Sequence, residues 1–272
     1  MKGLLAALIL SLSSLCSASS AGAAEIPAAC AMQAPWGAPT WSSTEPALTP
    51  LCRAAYVVLH DDTKLVPDFV SWQLTAEHAV GCASRVNSFA PDPDLPQGHR
   101  AELVDYKGRP GFDRGHFAPN ADFAWDVDVE RQSFYLSNMS PQASHLNQWE
   151  WEQLEAATRS WTLEHPALII MDGPLWTSAP DTIGADHVAI PTAYWKVVVD
   201  VSSHEALAFV MKNEPTPKGD LAPYLVSIAD IERAAGFALP LPADVDRNKT
   251  ATLWNADLNA FARIKARKCH PQ

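Results

Sequence analysis

Residues 111–120 read GFDRGHFAPN and set an acid, a fixed cation and a base, Asp113, Arg114 and His116, within four positions of one another beside a glycine. An imidazole of ordinary pKa near 6.5 is mostly neutral at pH 7 and can take a proton from water. The arginine fork next to it matches the geometry of a phosphate. Those are two of the three things that phosphodiester hydrolysis requires: a deprotonated water, a clamp for charge on the phosphorus oxygens, and help for the departing alkoxide. A divalent ion suits the third, and because Mg²⁺ prefers oxygen and keeps several waters, one Asn carbonyl is a sufficient direct protein ligand. A histidine with none of this company is more often a hydrogen-bonded structural residue.

These residues need elements to position them. FDRGHFAP reads as a short extended piece, followed by a polar loop through Trp125 and Arg131, then FYLSN (134–138) as a second strand, then MSPQASHLNQ leading into a helix over 148–165. Strand, loop, strand and helix bring His116 and Asn147 together if the strands pair and the helix folds back over them. Taken alone, Asn147 is most simply a helix N-cap and Glu155 a solvated charge. On one straight helix the two would be separated by a rise of about 12 Å and would point roughly 80° apart, so both could not chelate one ion directly. Trp149 and Trp151 are better read as core residues than as base-stacking platforms. Asp113 is expected to order the turn around Arg114, and Asn138, His145 and Gln148 are candidates for supporting roles.

Elsewhere YVVLH (56–60), FVSWQLT (69–75), ALIIMD (167–172), YWKVVVD (194–200) and ALAFVMK (206–212) read as strands. SIADIERAAG has a Ser227 to Asp230 capping pattern and a closing Gly236, and LWNADLNAFARIKA places Trp254, Leu258 and Phe261 at helical spacing. Strands outnumber helices and do not alternate strictly with them, which predicts a mixed α+β fold with a largely antiparallel sheet.

The chain has 272 residues, 47% of them hydrophobic and 10 of them Trp, enough for a large core. MKGLLAALILSLSSLCSASSAGAA shows the charged, apolar and small-residue order of a secretory signal peptide, taken as residues 1–23, which predicts an exported protein, periplasmic or secreted. A Pro-rich leader without periodicity follows at 24–53, and the main domain is expected over 54–272. Cys30, Cys52, Cys82 and Cys269 remain after cleavage and allow two disulfides in three connectivities, which sequence does not choose among. A formal charge of −11 confines any grip on a polyanion to a local surface.

DRGH followed by FYLSNMSPQ and LNQWEWEQLE resembles the DNA/RNA non-specific endonuclease family, and YVVLH, IIMDGPLW, VAIPTAYWKVVVD, ALAFVMKNE and DIERAAG extend the likeness over roughly residues 54–240. The resemblance implies a ββα-metal finger and a nuclease that cleaves DNA and RNA without sequence specificity, leaving 5′-phosphate ends. It implies His116 as general base, Asn147 as the direct ligand of a single divalent metal (Mg²⁺, with Mn²⁺ as another option), and Glu155 as the residue that holds the metal's water shell. It further implies Arg114 as a phosphate clamp and Arg85, in SRVNSFAPDP, as a second arginine at the transition state. Two rivals remain at this level: a metal-dependent phosphoesterase for small substrates, which the acidic charge suits, and an inactive nucleic-acid-binding homologue, for which an intact His, Asn and Glu set is superfluous. Steep weakening with salt marks a polyanion substrate.

Overall fold

A computed structural model describes residues 25–43, 46–108, 110–216 and 219–270. The signal peptide expected at 1–23 lies outside the described residues. Along the chain run β1 (Thr40–Trp41), β2 (Leu48–Cys52), β3 (Tyr56–Asp61), β4 (Val66–Thr75), α1 (Ala76–Ala79), β5 (Phe112–His116), α2 (Val127–Gln132), β6 (Met139–Ala143) and α3 (Ser144–Gln148). There follow α4 (Glu150–Trp161), β7 (Ala167–Leu175), β8 (Thr182–Ile183), β9 (Val188–Ala189), β10 (Ala193–Asp200), β11 (Ala206–Lys212), α5 (Ile228–Ala235), β12 (Phe237–Ala238) and α6 (Leu258–Cys269).

Six strands form the main sheet in the order β11-β10-β7-β4-β3-β2, each neighbouring pair antiparallel, so the mixed α+β fold expected from the sequence is present. Strands β3 and β10 are buried at every position because both faces of the sheet are covered. One face sets Tyr56, Val70, Trp72 and Val198 against Trp151 and Leu154 of α4; the other sets Phe69, Met171, Trp195 and Val197 against Ile228 and Ile231 of α5. Alternation along these strands therefore sorts side chains between two apolar layers rather than between core and water. The segment from β5 to α4 is inserted between β4 and β7 and packs on the first layer.

Three local expectations change. β5 pairs with β6 at 139–143 and not with 134–138: His116 stands opposite Met139 and Arg114 opposite Pro141. FYLSN has strand composition, but 136–138 forms a 3-10 turn held by buried Asn138. Its carbonyl accepts from the Ala118 amide at 3.0 Å, and its NH₂ donates to the Ala118 and Ser133 carbonyls at 2.8 and 2.9 Å. Pro141 is tolerated in β6 because a two-stranded ribbon leaves one edge of each strand free of ladder bonds.

The helix expected over 148–165 is broken at Trp149 (φ −127°, ψ −88°). Asn147 therefore belongs to α3 and caps nothing, and the straight-helix separation from Glu155 does not apply. The last helix begins at Leu258, capped by Asp257, and Trp254 lies before it, stacked on His165 at 4.0 Å.

The Pro-rich segment supplies β2, the edge strand of the main sheet, and is tied to its neighbourhood by a Cys30–Cys52 disulfide. The second disulfide, Cys82–Cys269, spans 187 residues.

Candidate active site

The ribbon formed by β5 and β6 sets the catalytic candidates by strand periodicity. Arg114 and His116 are two apart on β5 and point to the same side. Between them, a Cβ at Gly115 would lie 2.4 Å from the Cβ of buried Gln142 on β6, so glycine alone permits this close pairing.

His116 packs edge-on to Phe134 (centroids 5.1 Å apart) and tilted against Phe89 (5.7 Å). Each of those rings carries a guanidinium: Arg85 over Phe134 at 5.0 Å and Arg114 over Phe89 at 4.1 Å. The imidazole is thus walled by two phenyl rings and overlooked by two cations. Its Nε2 is buried and has no hydrogen-bond partner among the described residues. Burial first, then the charges of Arg85 and Arg114, pull its pKa down to about 3. The ring is neutral across the physiological range.

Arg85 donates through Nε to the Asn87 side chain at 2.6 Å and through Nη1 to the carbonyl of Asn120. The Asn120 NH₂ donates in turn to buried Glu130 at 3.1 Å. Sequence reasoning missed this support, since 35 residues separate Arg85 from Asn120 and no local pattern links them.

Asp113 accepts three side-chain hydrogen bonds: Ser144 Oγ at 2.8 Å, Asn147 Nδ2 at 2.9 Å and Gln148 Nε2 at 2.8 Å. It therefore anchors α3 rather than ordering the turn around Arg114. With the Asn147 NH₂ engaged by Asp113, its carbonyl Oδ1 is the atom it keeps for another partner. Asp113 was the legible clue, standing next to Arg114 in DRGH.

Arg85, Arg114 and Asn147 line one cleft of about 450 Å³ together with Phe89, Tyr106, Lys107 and Gln148. Glu155 is half-buried on α4, outside that lining; burial loosens the hold of Arg85 on its proton, and the charges of Glu130 and then Glu155 oppose that. Burial pushes the Glu155 carboxyl up to about 8 against the opposing pull of Arg159 and Lys196. Of the supporting candidates, Asn138 is the buried tie between segments described above. His145 is exposed against Trp149, with ring centroids 4.4 Å apart, and Trp151 is core.

Arg85 and Arg114, neither of them in an ion pair among the described residues, line this cleft with Asn147, while His116 lies outside the lining, packed against Phe89, which is part of it; the sequence profile of DNA/RNA non-specific endonucleases matches residues 41–247. The chain belongs to that family. The endonuclease is 36% identical over 200 residues to mitochondrial endonuclease G of Bos taurus, covering 68% of this chain and 67% of that one. It is 32% identical over 202 residues to nuclease C1 of Cunninghamella echinulata var. echinulata, covering 68% and 80%. A solved EndoG/EndoGI complex, described as showing the mechanism of EndoG inhibition, superposes with a TM-score of 0.71 at 27% identity, covering 79% of this endonuclease and 92% of the other chain.

Proposed function

We propose that this endonuclease is an exported, metal-dependent enzyme that hydrolyses phosphodiester bonds in DNA and RNA. The observation that carries the reading is the buried, partnerless Nε2 of His116 between two guanidinium groups. Arg85 and Arg114 hold the non-bridging oxygens of the scissile phosphate. His116 Nε2 takes a proton from water as the water oxygen bonds to phosphorus, and the bond to the leaving oxygen breaks. A phosphodiester seated between the arginines also offsets their field at the imidazole. Substrate thereby raises the pKa of the base from its low resting value toward the working pH.

Among the described residues no group of three or more His, Cys, Asp or Glu could hold a metal ion, so an ion here would depend on few protein ligands and its own waters. Asn147 Oδ1, with its amide held by Asp113, and Glu155, whose carboxyl would give up its proton to the ion, would offer oxygen donors of the kind Mg²⁺ or Mn²⁺ takes. Asn147 would be the direct ligand and Glu155 would hold the ion's water. The ion would stabilise charge on the leaving oxygen. Export is supported by the apolar leader of 1–23 and by two disulfides, which persist in oxidising compartments.

The test is incubation of the purified chain with plasmid DNA and with RNA, with Mg²⁺ and with chelator. Cleavage of both only with the metal is expected. Cleavage of neither, or full activity in chelator, removes the reading.

A further inference from the structure

The cations of this acidic chain are segregated. Across the body Lys and Arg pair with carboxylates, as Arg53 does with Asp92, Arg159 with Asp122 and Arg247 with Glu232. Among the described residues, Arg85, Lys107 and Arg114 in the cleft form no ion pair. Neither do Arg263, Lys265, Arg267 and Lys268 on α6. Outside these two places Lys249 is the one described Lys or Arg without a carboxylate partner.

Helix α6 carries no acidic residue over Leu258–Cys269. Its apolar side is spent on packing: Phe261 is buried and Ile264 is packed against the core that includes Trp151 and Leu154 of α4. Arg263 and Arg267, four apart and about 40° apart around the axis, lie on the exposed side. Lys268 is exposed too, its Nζ donating to the Glu77 carbonyl at 3.0 Å. Lys265 is half-buried, and burial first, then the like charge of Arg159, lower its affinity for its proton against the opposing pull of Asp122. Like charges gathered without ion pairs are stabilised by an external polyanion.

The helix is also placed. The disulfide holds Cys269 at a Cα separation of 5.3 Å from Cys82, and Cys82 lies three residues before Arg85. Three extended residues add about 10 Å, which sets the end of α6 within roughly 16 Å of the Arg85 backbone. A duplex carries one charge per about 1.7 Å of axis, so that span corresponds to about five base pairs. The covalent clip leaves little ordering for binding to impose. This helix lies beyond residue 247, where the match to the family profile ends.

We propose that α6 is a second binding surface for the nucleic-acid backbone, holding the strand beside the cleft through Arg263, Arg267 and Lys268 and favouring long substrates over short ones. An anionic membrane fits less well, because a surface helix needs a free apolar face, and of the large apolar residues of α6 Phe261 and Ile264 pack on the core, which leaves Leu258 alone exposed. The inference rests on the nuclease reading above.

The test uses the oxidised full chain with Arg263→Gln, Arg267→Gln and Lys268→Gln combined, substitutions that keep helix propensity. Cleavage of a dinucleotide phosphodiester, which fills the cleft alone, should be unchanged. For a long duplex the slope of log affinity against log salt, measured by binding in chelator, should flatten by about two to three, near 0.9 for each phosphate no longer neutralised, and KM at low salt should rise about tenfold or more. An unchanged slope and KM in a variant whose parent cleaves the duplex overturns α6 and leaves the nuclease reading standing. An equal loss on the dinucleotide overturns it as well, since the effect would then reside in the cleft. Loss of binding to phosphatidylserine vesicles with an unchanged duplex slope assigns the helix to membranes instead. A parent chain that neither binds nor cleaves the duplex sinks both readings.

Discussion

Two sets of cations in this endonuclease sit over aromatic rings and serve opposite ends. In the core Lys196 is wedged between Trp72 at 4.8 Å and Trp151 at 4.7 Å, and its ammonium pairs with fully buried Asp172. In the cleft Arg85 and Arg114 sit over Phe134 and Phe89 without an ion pair among the described residues, Arg85 being held by the neutral amides of Asn87 and Asn120 with Glu130 and Glu155 farther off. The aromatic face supplies attraction in both places. What differs is the counter-charge. A cation whose partner is internal is neutralised and serves the fold, whereas one held by rings and amides keeps its field for an anion from outside.

The largest effect expected from breaking this contrast is at the base. His116→Ala should lower turnover by about 10² to 10⁴ while thermal unfolding and metal affinity stay near those of the parent, because a general base acts on the barrier. Single-turnover assays beside a melting curve check it; near-parental activity would remove His116 from the mechanism.

Next is the core pair. Lys196→Met leaves Asp172 buried and uncompensated and should destabilise the chain by about 3–5 kcal/mol, with Asp172→Leu added to it recovering most of the loss. Urea denaturation of the single and double variants measures this. Equal stability of both would mean that the pair is not what neutralises Lys196.

Metal affinity should respond more modestly. Asn147→Ala should raise the Mg²⁺ concentration for half-maximal activity and lower the saturated rate. Asp113→Ala, which frees the Asn147 amide to turn, should weaken metal affinity by about 10- to 100-fold. Glu155→Gln should bind metal with a smaller loss of activity. A titration in which Glu155→Gln loses the ion and Asn147→Ala keeps it would reverse the assignment.

The smallest effect is a pH shift. Burial first, then the charges of Arg85 and Arg114, depress the His116 pKa, so the acid limb of kcat/KM should lie well below the ordinary histidine value near 6.5. Arg85→Gln removes one cation, favours the imidazolium and should move that limb upward by about one unit. The same depression makes the unfolded chain take up a proton before the native one. Stability from this site is therefore complete above pH 6.5 and declines as pH falls from there toward about 3. An acid limb unmoved by Arg85→Gln would show that its field does not reach the ring.

The parts legible in the sequence were those whose causes are local. DRGH offers the candidate base and clamp because their residue types carry the chemistry. The Ser227 to Asp230 box and Gly236 mark α5 because caps act within one turn, and the capping box and the left-handed Gly236 (φ 77°) are both present. Apolar runs in β3, β7 and β10 mark a buried sheet by composition. What only the tertiary structure decided depends on partners distant in sequence. The β5 register with 139–143 follows from Asn138 binding the backbone of Ala118, and the break at Trp149 separates Asn147 on α3 from Glu155 on α4. Three cysteine connectivities were equal in sequence because it contains no distances. Arg85 acquires its place from Asn120, Glu130 and Phe134, and α6 from a disulfide partner 187 residues away, neighbours that exist only once the chain has closed on itself.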